Sequence, residues 1–107
     1  MVQELSPQEF LTRRAAGATM TLLDVREDWE TQLAPVPDEV VHIPMGQVAL
    51  RLSELDPQRE TVVICRSGGR SGQVAGYLAA QGFASVYNLA GGILAWSRDV
   101  DPRIPQY

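Results

Sequence analysis

The segment with the clearest capacity for chemistry is Cys65-Arg66-Ser67-Gly68-Gly69-Arg70-Ser71, which contains the only cysteine of the chain. Adjacent glycines allow a tight loop whose backbone N–H groups point inward, and N–H groups arranged in this way bind anions. A thiol held over them, beside Arg66 and Arg70, should ionise more readily than a free cysteine, because these groups stabilise the thiolate. The segment therefore predicts an anion-binding loop with a nucleophilic sulfur at its edge.

The residues around this loop favour a functional interpretation over a purely structural one. A lone cysteine at a strand end is usually a small buried hydrophobe, and Gly-Gly is usually only a turn. Here the apolar run at residues 61–64 predicts a strand buried on both faces, and a helical pattern begins near Ser71. Cys65 thus lies at the carboxyl end of a strand, where open α/β sheets bind ligands. Neither structural explanation accounts for the two arginines beside the glycines.

Two charged residues, Asp24 and Arg26, lie at the carboxyl end of another predicted strand, residues 20–25, at what should be the same edge of the sheet. A carboxylate beside an anion site would repel the anion. We therefore expect Asp24 to support the loop by pairing with an arginine or a loop N–H, and Arg26 to support it through similar charge-assisted hydrogen bonds.

His42 is the only histidine, and a cysteine and a histidine in one chain suggest a nucleophile with its general base. Against this, His42 lies between Val41 and Ile43 in a predicted strand. The loop also supplies enough positive potential to activate a thiol without a base. We therefore favour a structural role for His42.

The composition of the whole chain excludes several classes of protein. The 107 residues carry a net charge of −4 and include no lysine, which disfavours a nucleic-acid-binding protein. A single cysteine excludes an internal disulfide, a resolving cysteine and a thiolate metal cluster within the chain. The sequence shows neither a signal-peptide pattern nor an apolar run of membrane-spanning length. We expect one cytoplasmic domain over residues 1–107, with no membrane partner.

Strands and helices alternate along the sequence, which predicts an α/β fold with a parallel sheet and helices on both faces. Gly91-Gly92 is predicted to be a tight strand-to-helix turn, and Gly76, inside a predicted helix, is expected to allow close packing. From about residue 99 the tail, with two prolines, is expected to be irregular. Strands are predicted at residues 2–5, 20–25, 40–43, 61–64 and 85–89, and helices at 7–16, 28–33, 46–55, 71–81 and from 92.

Several segments together resemble the single-domain rhodaneses, the thiosulfate sulfurtransferase family. The resemblance covers nearly the whole chain and is most specific in the cysteine loop. One departure lies at residues 34–39, where the family usually carries a His-Ile-Pro-Gly-Ala element. The resemblance therefore does not predict how a substrate would approach from that side. The matching segments are Leu22-Leu23-Asp24-Val25-Arg26-Glu27, His42-Ile43-Pro44-Met45, the cysteine loop, and Asn88-Leu89-Ala90-Gly91-Gly92-Ile93 with Trp96.

The resemblance implies a five-stranded, mostly parallel sheet and sulfur transfer through a persulfide on Cys65. The cysteine would take sulfur from a donor such as thiosulfate and pass it to cyanide or a thiol, including that of a sulfur-relay protein. No metal or organic cofactor is required. Arg66 and Arg70 would also attract the anionic donor. The residues implied to bind the sulfur are Arg66, Ser67, Gly68, Gly69, Arg70 and Ser71.

Two other functions compete with sulfur transfer. Small phosphatases and arsenate reductases of related fold have a loop in which one more residue separates the cysteine from the arginine. Here four residues separate Cys65 from Arg70, and a shorter loop should surround a sulfur atom better than a tetrahedral oxyanion. The second alternative is a noncatalytic sulfur carrier or interaction module. Interaction modules usually replace the cysteine, and here it is present.

Overall fold

The computed structural model describes residues 2–107, which form five strands and four α-helices. No helix among these residues has the length and apolar character needed to cross a membrane. The strands are β1 (Val2–Leu5), β2 (Met20–Asp24), β3 (Val41–His42), β4 (Glu60–Ile64) and β5 (Val86–Leu89). The helices are α1 (Pro7–Ala15), α2 (Asp28–Leu33), α3 (Gly69–Ala80) and α4 (Gly92–Asp99).

The five strands form one sheet in the order β1-β5-β4-β2-β3, and each neighbouring pair in the described chain is parallel. The predicted parallel sheet is therefore confirmed. Asp24 at the end of β2 is aligned with Ile64 of β4 on one side and with His42 of β3 on the other. This register places Cys65 just beyond the carboxyl end of the central strand, one residue past the position aligned with Asp24.

The sheet is covered on both faces, which explains why its inner strands β2, β4 and β5 are mostly apolar. Successive residues of a strand point to opposite faces. On one face the sheet packs against α1 and α4, where the rings of Phe10 and Trp96 lie 5.7 Å apart. On the other face it packs against Val74 and Leu78 of α3, and Cys65 belongs to this second cluster. The predicted covering of both faces by helices is confirmed.

The predicted helix at residues 46–55 is wrong. The structure has two short 3-10 helices there, Met45–Gln47 and Leu52–Glu54. Gly46 and Ser53 favour an α-helix only weakly. The tighter turns still bury Val48 and Leu55 against the sheet, so the apolar spacing is satisfied without a continuous α-helix.

The expectation for Gly76 is also wrong, because this residue is exposed and a Cβ atom built there would have no neighbour within 4 Å. The close approach occurs one turn earlier, at Gly72. A Cβ atom on Gly72 would lie 3.3 Å from Nδ2 of Asn88 on β5. α3 also begins at Gly69, two residues earlier than predicted, so the end of the cysteine loop forms the first turn of the helix.

Candidate functional site

The Cys65 sulfur lies inside the loop that follows β4. Its Sγ accepts a hydrogen bond from the Gly68 N–H at 3.1 Å and lies 3.2 Å from the Ser71 hydroxyl oxygen. Burial works against the thiolate. Hydrogen bonds from the Ser71 hydroxyl and from the N–H groups of Ser71, Gly68 and Ser67 outweigh burial, and the pKa of the Cys65 thiol is lowered. The loop therefore stabilises negative charge on this sulfur.

The conformation of Gly68 makes this arrangement possible. Its φ is +110°, which L side chains rarely adopt, and it is the residue that precedes the first turn of α3. The Gly68 carbonyl accepts the N–H of Gly72 at 3.1 Å and begins the helical hydrogen-bond pattern. The positive end of the α3 dipole therefore lies at the loop, where it favours an anion.

The turn at Gly91-Gly92 and the first residues of α4 support the cysteine loop through backbone hydrogen bonds. The N–H of Ile93 donates to the Cys65 carbonyl at 2.9 Å, and the N–H of Leu94 donates to the Arg66 carbonyl at 3.1 Å. Gly92 has a φ of +60°, and a Cβ atom there would lie 2.5 Å from both carbonyl oxygens. The expected turn at 91–92 is present, and the residues that follow it also support the site.

Arg70 is held by a carboxylate that the sequence analysis did not single out. Its two terminal nitrogens donate to the two carboxylate oxygens of Glu30, on α2, at 2.6 and 2.8 Å. The hydrogen bonds from Arg70 lower the pKa of the buried Glu30 carboxyl from 4.5 to about 2, and Glu30 raises the pKa of Arg70. Arg70, expected to attract the substrate, is therefore engaged in anchoring the loop to α2, from where its charge still acts on Cys65.

Arg66 is held by the C-terminal tail. Its guanidinium carbon lies 5.3 Å from the centre of the Tyr107 ring, and its Nε donates to the Tyr107 carbonyl. The Tyr107 hydroxyl donates to Glu30 at 2.8 Å and accepts from Arg26 at 3.0 Å. Burial raises the pKa of this phenol. The tail has no helix or strand, yet it places an aromatic ring at the edge of the loop.

Asp24 and Arg26 form a buried pair next to the loop. The guanidinium of Arg26 donates to both carboxylate oxygens of Asp24, the shortest contact being 2.8 Å, and Arg26 also donates to the Ala34 carbonyl. Burial opposes the charge of Arg26, but hydrogen bonds to Asp24 and Tyr107 outweigh it and raise its pKa. The pair reaches the loop only indirectly, through Tyr107 and Glu30.

His42 contacts the backbone just beyond the end of β2 rather than the nucleophile. Its Nε2–H donates to the Arg26 carbonyl at 2.7 Å, and its Nδ1 lies 3.8 Å from the Asp28 carboxylate. Within residues 2–107 no hydrogen bond joins His42 to Cys65. This geometry is in keeping with the structural role that we favoured.

Asn88 is one of three residues of the site to which the sequence analysis assigned no role, the others being Glu30 and Tyr107. Its Oδ1 lies 2.6 Å from the Ser71 hydroxyl oxygen, and its Nδ2 donates to the Gly68 carbonyl at 3.1 Å. Its only signal in the sequence is its polarity, in a strand whose other residues, Val86, Tyr87 and Leu89, are apolar or aromatic. Glu30 and Tyr107 offered no such signal, since acidic and aromatic residues are common at surfaces.

The assembled site is a single sulfur surrounded by N–H donors, with two arginines on one side of it. Such a site can hold a thiolate or an anionic sulfur species and can stabilise a sulfur that leaves with an electron pair. In the part of the chain that the structure describes, no three His, Cys, Asp or Glu side chains are grouped as metal ligands.

The sequence matches a known family over most of its length. The family model described as rhodanese-like domain matches residues 6–99. A protein named sulfurtransferase from Allochromatium vinosum is 39% identical over 98 residues, which cover 92% of this chain and 91% of that protein. A rhodanese-like/PpiC domain-containing protein 12, chloroplastic, of Arabidopsis thaliana is 48% identical over 90 residues, and this chain spans only 30% of its length.

A solved structure has the same fold. The crystal structure of a rhodanese-like domain protein from Staphylococcus aureus superposes with a TM-score of 0.81 at 28% identity, over 88% of this chain and 90% of that one.

Proposed function

The chain belongs to the rhodanese-like domain family, and on that premise we propose that it is a sulfurtransferase that carries sulfur as a persulfide on Cys65. The observation that carries the proposal is the hydrogen bond from the Gly68 N–H to the Cys65 sulfur at 3.1 Å, inside a loop of inward-facing donors. The Allochromatium relative, whose length this chain nearly matches, is named for sulfur transfer.

In the first half of the reaction the Cys65 thiolate attacks the outer sulfur of a donor, for which we propose thiosulfate. The S–S bond of the donor breaks, its electron pair leaves with sulfite, and Cys65 becomes a persulfide. The lowered pKa of Cys65 supplies the thiolate that this attack requires.

In the second half a nucleophile, cyanide or a thiolate, attacks the outer sulfur of the persulfide. The bond between the two sulfurs breaks, and its electron pair returns to Sγ of Cys65. The transferred sulfur leaves with the acceptor, so no external oxidant or reductant is consumed, and one cysteine is sufficient. A small-molecule thiol or the thiol of a sulfur-relay protein would serve as acceptor.

The loop and its arginines have different parts in this scheme. The N–H groups of the loop stabilise the negative sulfur that each half-reaction places inside it. Arg66 is exposed, and we propose that it attracts the donor anion. Arg70 contributes charge from a fixed position because Glu30 holds it.

Mass spectrometry of protein incubated with thiosulfate tests the assignment. We expect one added sulfur on the peptide that contains Cys65, its loss after cyanide or a thiol is added, and no addition to Cys65→Ser. Since an alcohol does not accept sulfur, Cys65→Ser should also lose thiosulfate-to-cyanide transfer while its circular dichroism spectrum stays unchanged.

The same preparation, assayed with an aryl phosphate, distinguishes the phosphatase alternative. Because the loop is one residue shorter than a phosphatase loop, we expect little or no hydrolysis. Phosphatase turnover that depends on Cys65, without sulfur transfer, would refute the proposed function.

A further inference from the structure

The hydroxyl group of Ser71 has a single proton but lies between two acceptors. Its oxygen is 3.2 Å from the Cys65 sulfur and 2.6 Å from Oδ1 of Asn88. Ser71 and Cys65 are buried, and Asn88 is only 7% exposed, so bulk water does not readily replace either contact. A hydroxyl donates one hydrogen bond and accepts up to two. Ser71 therefore donates to one of the two neighbours at a time.

The orientation of the Asn88 amide is determined by its other contact. Its Nδ2 lies 3.1 Å from the Gly68 carbonyl, which only accepts hydrogen bonds, so the NH2 group must face that carbonyl. The side chain also packs closely against Gly72, where an added Cβ would lie 3.3 Å from Nδ2. The amide oxygen is thereby directed at Ser71 and requires a donor from it.

The protonation state of the sulfur decides which bond Ser71 makes. When Cys65 is a neutral thiol, its S–H donates to the Ser71 oxygen and the Ser71 O–H donates to Asn88, so each group has a partner. When Cys65 is a thiolate, the charge favours rotation of the Ser71 proton toward the sulfur. The Asn88 oxygen then loses its donor, which is a cost when the group is buried.

We propose that Asn88 is a positioning residue: it accepts the hydrogen bond of the Ser71 hydroxyl while Sγ of Cys65 is neutral, and the hydroxyl donates to Sγ instead when Sγ becomes charged. Its place in the reaction rests on the proposed function: Sγ is uncharged in the persulfide and regains the electron pair when an acceptor takes the outer sulfur. Ser71 turns toward Sγ at that step. Between transfers Asn88 moderates the acidity of the thiol, since a thiolate that is too stable attacks a donor slowly.

The charged and titratable groups around Cys65 lie on the loop, at and just beyond the end of β2, on α2 and on the tail, and they are the same in each variant tested below. They are Arg66, Arg70, Asp24, Arg26, Glu30 and Tyr107. β5 and the first turn of α4 contribute the uncharged Asn88 and backbone N–H groups on this side.

The test is the midpoint pH of Cys65 ionisation, measured from the rate of alkylation as a function of pH. Asn88→Leu retains the approximate shape but offers no acceptor, so Ser71 is free to donate to the sulfur. We expect its midpoint to fall by about half a unit to one unit, as the gain of one hydrogen bond implies. Ser71→Ala should raise the midpoint, and the double variant should match Ser71→Ala.

A purely structural role of Asn88 predicts the opposite sign, because a loosened loop would lose donors to the thiolate and the midpoint would rise. A rise or no change in Asn88→Leu, or an equal fall in the Ser71→Ala background, would overturn the proposal. Asn88→Ala serves as a second variant, since the Gly68 carbonyl keeps the Gly72 N–H as a partner. Loss of folding in both would assign Asn88 a structural role and also overturn it.

The titration requires no sulfur donor, so its outcome is independent of the assay for sulfur transfer. A fall of the midpoint in a protein without transferase activity would leave the role of Asn88 intact and refute only the proposed function.

Discussion

Two strand-to-helix turns of this protein contain the same dipeptide and use their N–H groups differently. Gly68-Gly69 connects β4 to α3, and Gly91-Gly92 connects β5 to α4. In both, a glycine with positive φ precedes the helix, with +110° at Gly68 and +75° at Gly91. The first turn directs N–H groups at the Cys65 sulfur, whereas the second directs those of Ile93 and Leu94 at backbone carbonyls of the first.

The difference shows that a glycine pair predicts a turn but does not by itself predict an anion site. Four residues, 65–68, separate β4 from α3, and two residues, 90–91, separate β5 from α4. The longer connection closes around a side chain. The shorter one runs directly into its helix, and the N–H groups of Ile93 and Leu94 are occupied by carbonyls, so they are not free for a ligand. One turn therefore holds the nucleophile and the other holds that turn in place.

The largest effect on stability is expected from the supporting turn. In Gly92→Ala the new Cβ would lie 2.5 Å from two backbone carbonyl oxygens at a φ of +60°. Strain and overlap together should lower the free energy of unfolding by about 3 kcal/mol or more. Urea denaturation followed by circular dichroism measures this loss.

The matched control for Gly92→Ala is Gly76→Ala, at an exposed helical position with open space around it. This control should be neutral or more stable by about 1 kcal/mol, because alanine favours a helix over glycine. Equal effects of the two substitutions would show that α4 does not support the loop as the structure indicates.

An intermediate effect on stability is expected from the ion pair between Arg70 and Glu30, which links the cysteine loop to α2. Among the described residues, the turn at Gly91-Gly92 has no such ion pair. Because Arg70 lowers the pKa of Glu30 from 4.5 to about 2, the pair stabilises the folded protein above pH 4.5, and the contribution is lost as the pH falls toward 2. The full shift corresponds to about 3 kcal/mol at most, and solvent screening reduces the contribution because Arg70 is partly exposed. Glu30→Gln should be less stable at neutral pH and should lack this part of the acid dependence.

Denaturant unfolding of wild type and Glu30→Gln at several acid pH values measures this dependence. Asp28→Asn, which removes an exposed carboxylate from the same helix, is the matched control and should keep the slope of the wild type. Parallel curves for wild type and Glu30→Gln would contradict the inferred anchoring of Arg70.

The smallest effect on stability is expected from the turn that holds the nucleophile. In Gly68→Ala the φ of +110° is strained, but the nearest atoms to a Cβ are 3.7 to 3.9 Å away. We expect a loss of about 1 to 2 kcal/mol in the free energy of unfolding. The same change should raise the pKa of Cys65, because the Gly68 N–H turns away from the sulfur.

Alkylation rates against pH, beside urea denaturation, separate these two effects of Gly68→Ala. A stability loss as large as that of Gly92→Ala, with an unchanged thiol pKa, would reverse the roles that we assign to the two turns.

The sequence by itself determined the parallel sheet, its covered faces and the position of the cysteine loop at its edge. These features follow from local residue types: β-branched runs form buried strands, glycine pairs form turns, and alternation of strands and helices forms a parallel sheet. The fold class and the family were therefore predictable. The roles of Cys65 and of the loop residues stay predictions until sulfur transfer is measured.

Only the tertiary structure decided which side chains complete the site and how residues 46–55 are wound. The contacts of Glu30 with Arg70 and Tyr107 join residues 40 and 77 positions apart in the chain. Asn88 reaches Ser71 across 17 positions. No local pattern encodes such pairs, because a side chain that is polar in sequence finds its partner only when strands and helices have packed. For the same reason the sequence did not predict that Arg70 is fixed by its pairing with Glu30.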